Sequence, residues 1–300
     1  MKRILITGAG SYVGTSVERY LQEYNSSQCR ELYRIDTLSL KEDGALEYNF
    51  APYDAVFHVA GIAHADTSGV SEETQRLYYS VNCDLAEATA KRAREMGVKQ
   101  FIYMSSVIIY GDSAPAGQHF LITEDTKPAP ANFYGDSKLK AEEKLKKLNT
   151  EDFHVAILRC PMIYGRGSKG NYPLLASMAG KLPLFPKVEN ERSMLYVENL
   201  AEFVRLLVES GEGGTFYPQN REYTNTSCMV ELIAQAKGRK ICLCKWMSPF
   251  VSLAAGMPGK PGKLANKAFG SLTIDQSLSR RKFDGYQIYS LERSIEKTEK

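Results

Sequence analysis

Tyr134 and Lys138 stand four positions apart in Tyr134-Gly-Asp-Ser-Lys138, at the start of a strongly helical run. That spacing puts both side chains on one helix face. A free phenol has a pKa of about 10 and is a poor base at neutral pH. An ammonium a few ångströms away, helped by a nearby cationic ring, stabilises the phenolate and lowers that value. Such a pair can take a proton from a hydroxyl while hydride leaves the same carbon. A second hydroxyl comes from Ser105-Ser106-Val-Ile-Ile-Tyr-Gly111, directly after the strand candidate Gln100–Met104. The carboxyl end of a parallel strand is where ligands bind in α/β sheets. Alone, a Tyr-x-x-x-Lys spacing usually marks a solvated helix face. Its place between the fourth and fifth strand candidates argues for chemistry.

A glycine-rich turn supplies the partner for hydride. Thr7-Gly-Ala-Gly-Ser-Tyr-Val-Gly14 follows the first strand candidate and opens the first helix. Glycines there permit a tight turn and close approach to a pyrophosphate, which the helix N-terminus then binds. The candidate cradle is Gly8, Gly10, Ser11, Tyr12, Val13 and Gly14. Asp36, read as ending the second strand, is placed to accept hydrogen bonds from the adenosine ribose, and it repels a 2′-phosphate. NAD is therefore expected over NADP. Arg34, two residues upstream on the same side of the strand, works against that preference.

The elements that must position these groups alternate. Strands are predicted at Arg3–Thr7, Glu31–Ile35, Ala55–Val59, Gln100–Met104 and His154–Leu158, with helices at Tyr12–Tyr24, Thr74–Met96 and Tyr134–Leu148. Near-continuously apolar strands between helices imply an α/β fold with a doubly wound parallel Rossmann sheet. Residues 1–165 form the NAD-binding domain, with 194–218 returning to it. Residues 166–193 and 219–300 form a smaller, mixed substrate lobe that ends in basic loops. Within it, the apolar stretch Trp246–Met257, flanked by lysines, is expected to pack on the lobe rather than lie on a membrane.

Net charge of +3 over 300 residues, with 24% charged side chains, gives no argument for nucleic acid. The six cysteines lack CxxC pairs, so no metal is expected and reduced thiols are. No leader or membrane-spanning run is visible, which suits a cytoplasmic protein. His58 is expected to be a satisfied structural imidazole. His64 lies in the loop after it and is not expected to carry a role.

These pieces together resemble the NAD-dependent epimerase/dehydratase family, the extended short-chain dehydrogenases. The resemblance also rests on His58-Val-Ala-Gly61, Val81-Asn82, Leu158-Arg-Cys-Pro161, Ile163-Tyr-Gly165 and Arg192–Leu200. It implies Ser106, Tyr134 and Lys138 as catalytic residues, with Ser106 also touching substrate and Tyr134 and Lys138 also binding the cofactor. Ala60, Gly61, Asn82 and Pro161 would line the cofactor, and Arg192 would hold a substrate diphosphate. The chain looks most like UDP-sugar 4-epimerases and UDP-4-keto-sugar reductases of surface-polysaccharide pathways, with a UDP-sugar as substrate and a homodimer as one form. A relative that kept the fold and lost the chemistry, serving regulation or assembly, is the minor alternative. Four departures stand out. Ser11 replaces the turn's central glycine, Val107-Ile108 replaces the acid pair of dehydratases, and Ser193-Met194 follows Arg192. A C-terminal Arg-x-Gly-Asp has no good match.

Overall fold

The computed structural model describes residues 1–63 and 70–300; His64 lies outside the described residues. Its elements begin β1 (Lys2–Thr7), α1 (Tyr12–Ser27), β2 (Tyr33–Leu38), β3 (Ala55–His58), α2 (Glu72–Tyr79), α3 (Leu85–Glu95), β4 (Gln100–Ser106), β5 (Leu121–Ile122), α4 (Phe133–Lys146) and β6 (His154–Cys160). β7 (Met162–Tyr164), α5 (Tyr172–Lys181), β8 (Leu184–Pro186), β9 (Met194–Tyr196), α6 (Val197–Ser210) and β10 (Gly214–Phe216) follow. The chain closes with α7 (Thr226–Ala236), β11 (Cys242–Cys244), α8 (Ser248–Ala255), α9 (Lys260–Phe269), β12 (Thr273–Ile274), α10 (Gln276–Arg280) and α11 (Leu291–Glu299).

Six strands form one sheet in the order β10-β6-β4-β3-β1-β2, and every pairing in it is parallel. Ile4, Leu5, Ile6, Val56, Phe57, Phe101 and Ile102 are wholly buried, because helices cover both faces and leave no strand a wet side. From β1 the chain runs outward to β2 and returns on the opposite side of β1 as β3. The switch point therefore lies between the carboxyl ends of β1 and β3, where such sheets take ligands. The expected doubly wound parallel sheet is present.

Two local expectations change. The ladder between β1 and β2 runs from Lys2↔Tyr33 to Thr7↔Leu38, so β2 starts and ends later than predicted. Asp36 consequently sits inside the strand, opposite Leu5. The predicted single helix Thr74–Met96 is two helices, α2 and α3, joined by a π-helical turn at Ser80–Asp84. A π turn holds one residue more than the i→i−4 ladder allows and often occurs at functional sites; this one turns Asn82 and Cys83 inward.

The chain divides into two compact units: residues 1–111, 127–161 and 200–218, and residues 112–126, 162–199 and 219–300. Boundaries predicted at 165 and 194 fall differently because β7 pairs with β9, which draws both strands into the second unit. Residues 112–126, read as part of the first domain, go with the second because β5 pairs with β12. The final segment holds α9, α10 and α11 where basic loops were expected. The stretch Trp246–Met257 packs on the second unit as expected, where Asn266 Nδ2 of α9 donates to Ala255 O at 3.0 Å, yet α8 has no buried residue.

Candidate active site

The turn after β1 is fixed by lack of space. Gly8 has φ of 102°, and a Cβ there would stand 2.7 Å from the Ala60 amide nitrogen. Bare backbone at Gly8 lets the ends of β1 and β3 meet, and Gly10 (φ 73°) completes the left-handed turn. Ser11, the departure from the family's glycine, is the N-cap of α1, and its Oγ accepts from the Gly14 amide at 3.2 Å. Tyr12 and Val13 form the first turn beside it. This cradle of bare backbone at a helix N-terminus fits a dinucleotide pyrophosphate.

Asp36 accepts a hydrogen bond from Tyr53 Oη at 3.0 Å through one carboxylate oxygen, while Arg34 is exposed. The carboxylate is thus oriented before any ribose arrives. We expect NAD to bind at least about tenfold tighter than NADP, a difference of roughly 1.4 kcal/mol. Fluorescence titration with both cofactors checks this, and equal affinities would mean that Arg34 overrides the carboxylate.

Asn132 caps α4 by accepting from the Gly135 amide at 3.0 Å. A Cβ on Gly135 would lie 2.8 Å from Ile108 O, so glycine lets α4 press against the 3-10 turn Val107–Tyr110. That close approach brings Tyr134 to the segment that begins at Ser106. The two serines divide there. Ser105 is buried and donates to Glu142 Oε1 at 2.5 Å. Ser106 caps the 3-10 turn with Oγ, which accepts from the Ile108 amide at 3.3 Å, and is only partly buried.

Lys138 is buried, and its Nζ donates to Met104 O at 2.9 Å above the Tyr103 ring. A Cβ on Gly61 would come within 3.3 Å of that Nζ. The ammonium therefore lies at the switch point. Burial pulls its pKa down to about 8, partly opposed by Glu142 and Cys160. Burial pushes Tyr134 up to about 12, with a further push from Tyr78, whose ring meets it edge-on at 6.0 Å. Without added positive charge Tyr134 is a neutral phenol. The pyridinium of bound NAD would supply that charge and accept hydride, and Gly8–Gly14, Asp36, Ala60 and Gly61 offer the space to hold it.

Asn82 is fully buried, and its amide is spent on protein. Oδ1 accepts from the Ile62 amide at 2.8 Å, and Nδ2 donates to Ile62 O and to Ser137 Oγ. It ties the loop after β3 to α4. Pro161 is buried directly after β6. His58 is satisfied only in part. Nδ1 pairs with Thr7 Oγ1 at 2.9 Å, while Nε2 has no hydrogen-bond partner among the described residues. Burial and the nearby Lys138 lower its pKa to about 3, which keeps it neutral.

Motif reading missed Glu142 and Arg159. Glu142 continues the face of Tyr134 and Lys138 one turn on. Arg159 Nη2 donates to its Oε2 at 2.7 Å, and Arg159 Nη1 reaches Tyr110 and Tyr217 Oη at 2.5 and 2.8 Å. The i, i+4, i+8 run of Tyr134, Lys138 and Glu142 was the available signal.

In the second unit Arg192 Nε donates to Gly270 O and Nη2 to Lys267 O, both at 2.7 Å, capping the C-terminus of α9. No carboxylate pairs with it among the described residues, and burial lowers its pKa to about 10. It lines a cavity of about 870 Å³ whose other walls, such as Leu175, Met178, Met194 and Phe269, are mostly apolar.

The NAD dependent epimerase/dehydratase family matches residues 4–217. This chain belongs to that family. UDP-glucose 4-epimerase of Vibrio cholerae is 28% identical, with 92% of this chain and 88% of that protein covered. The N-acetyl-alpha-D-glucosaminyl-diphospho-ditrans,octacis-undecaprenol 4-epimerase of Escherichia coli O157:H7 is 27% identical, covering 96% and 88%. Among solved structures, dTDP-4-dehydrorhamnose reductase of Bacillus anthracis, in complex with NADP, superposes with a TM-score of 0.72 at 20% identity over 99% of this chain and 98% of that one. As a member of this family the chain is an enzyme of NAD-dependent chemistry, and no described helix is long and apolar enough to cross a membrane.

Proposed function

We propose that the chain is a nucleotide-sugar 4-epimerase working through a transient 4-keto sugar. The observation that supports this reading is the Lys138 ammonium beside Gly61 at the switch point, on the same face of α4 as Tyr134, next to a turn whose bare backbone fits a dinucleotide. In that mechanism Tyr134 Oη takes the proton of the C4 hydroxyl and later returns it to the C4 oxygen, while the hydride held by bound NAD would come back to the opposite face of the ketone carbon. Lys138 binds the nicotinamide ribose and holds positive charge near the phenol, and Ser106 Oγ steadies the substrate oxygen. Asn82 positions α4 against the loop after β3. Val107 and Ile108 offer neither acid nor base, so dehydration is not supported.

A one-way 4-keto-sugar reductase uses the same groups. Asp36 favours the epimerase, because net reduction more often draws on NADPH. Wild-type protein with NAD and a panel of UDP-, GDP- and dTDP-hexoses, read by NMR, tests this. Inversion at C4 with no net change in cofactor supports the epimerase. Accumulation of a 4-keto sugar together with an equal amount of NADH replaces it with the reductase run in reverse.

Arg192 keeps Nη1 for a substrate phosphate while Nε and Nη2 hold α9. Arg192→Ala should therefore weaken sugar-nucleotide binding by about ten- to a hundredfold, the loss of a charged hydrogen bond worth roughly 1.5–3 kcal/mol. Affinity for NAD should stay near wild type. Calorimetry showing an unchanged substrate constant would leave Arg192 as a helix cap only.

A further inference from the structure

Trp246, Phe250 and Leu253 follow the spacing i, i+4, i+7, which lays them along one face of the turn Lys245–Met247 and the helix α8, and Met257 follows just beyond the end of α8. Such a stripe ordinarily faces a core. Here Trp246 is 64% exposed, Phe250 65%, Leu253 70% and Met257 50%, and Leu264 on the adjoining helix α9 is 60% exposed. Trp246 and Phe250 meet edge-on at 6.3 Å, so their rings form one surface feature. A contiguous apolar surface of this kind on a water-soluble unit marks an interaction site.

Charge identifies the partner. From Leu232 to Ile274 the chain carries seven lysines and arginines and no acidic residue, although its net charge is only +3. The rest of the protein is therefore net acidic, and the positive charge is gathered around this stripe. Lys245, Lys260, Lys263 and Lys267 are exposed, and among the described residues none of the four has a salt bridge. Large apolar side chains, a tryptophan and a cationic border together match the interfacial zone of an anionic bilayer. Tryptophan prefers the headgroup level, and lysine stems reach from it to the phosphates.

We infer that α8 and α9 form a monotopic membrane-docking element that lies on an anionic phospholipid surface. It holds the second unit at the bilayer without spanning it. The stripe enters the interface, and the lysines engage lipid phosphates. This inference does not depend on which sugar the enzyme takes.

Trp246 is the chain's single tryptophan, so its emission reports on this surface and on the Arg192 cavity, which Trp246, Phe250 and Leu264 also line; the titration is therefore run without sugar nucleotide. Purified full-length protein is titrated with phosphatidylcholine vesicles, with and without phosphatidylglycerol, while fluorescence and co-sedimentation are followed. Emission should move to shorter wavelength only with the anionic vesicles, and added salt should reverse it. The pair F250S/L253S should lower partitioning by about tenfold or more, since two large apolar side chains leave the interface. The pair K260E/K263E should remove the preference for phosphatidylglycerol. NAD titration of both variants verifies that they are folded. Unchanged emission with anionic vesicles at low salt would overturn the inference, as would binding that survives both pairs. An emission shift that follows protein concentration without vesicles would instead assign the stripe to a second copy of the chain.

Discussion

Tyr134→Phe should lower turnover by about 10²–10⁴-fold, the usual contribution of a positioned acid/base group, while NAD affinity and thermal stability hold. The ring carries the packing: it meets Tyr78 edge-on, and no hydrogen bond of Tyr134 Oη to protein is found among the described residues. Phe keeps that contact and loses only the oxygen that accepts and returns the substrate proton. The chain by itself, Lys138 included, pushes the Tyr134 pKa up to about 12, so phenolate would form only when a bound pyridinium adds positive charge nearby. Single-turnover kinetics on the substrate found by the hexose panel, with NAD titration of the same variant, checks both halves. Turnover near the wild-type rate would transfer the acid/base role to another group.

Arg159→Leu should destabilise the protein by about 3–5 kcal/mol, because it strips the guanidinium from the buried Glu142 carboxylate and leaves only the more distant Lys146 ammonium at 3.7 Å. The side chains are 8% and 0% exposed, and their strongest contact is 2.7 Å. Ser105 and Arg159 are direct neighbours across β4 and β6, so one substitution disturbs both strands below the catalytic serine. Replacing both partners, Glu142→Leu with Arg159→Leu, should recover much of the loss, since an apolar pair carries no desolvated charge. Urea denaturation of the single and double variants gives the comparison. Equal losses would show that packing, and not the carboxylate left without its guanidinium, sets the cost.

What the sequence made legible was local. Five strand candidates fell on the first five strands of the sheet, because each apolar run is short, bounded and followed by a helical pattern. Tyr134 and Lys138 read as one face because α4 is regular there. Gly8 and Gly10 read as a turn because glycine suits both the close approach of Gly8 to Ala60 and the positive φ of Gly10. The rest depended on contacts far apart in the chain. Nothing near Leu121 announces that it pairs with Thr273, so residues 112–126 were put in the wrong unit. The π turn at Ser80–Asp84 interrupts a periodicity that its own residues do not break. His58 looked satisfied because its strand is buried, yet Nε2 has no partner among the described residues. The stripe from Trp246 to Met257 has the spacing of a core helix, and only its surroundings reveal that it faces outward.

The route of the chain through its two units has a consequence for biosynthesis. β10 is the edge strand beside β6, yet residues 162–199, which belong to the second unit, are made between the two strands. Until Gly214–Phe216 has left the ribosome, the backbone edge of β6 is open to the wrong neighbours, the situation that favours strand-to-strand aggregation. Neither unit is a continuous stretch of chain, so no single cut yields one of them whole. A product stopped at Pro161 keeps the glycine cradle, Tyr134 and Lys138, but it lacks α6 and the strand that closes the sheet. Expression as short domain fragments should therefore give insoluble protein even where every catalytic residue is present.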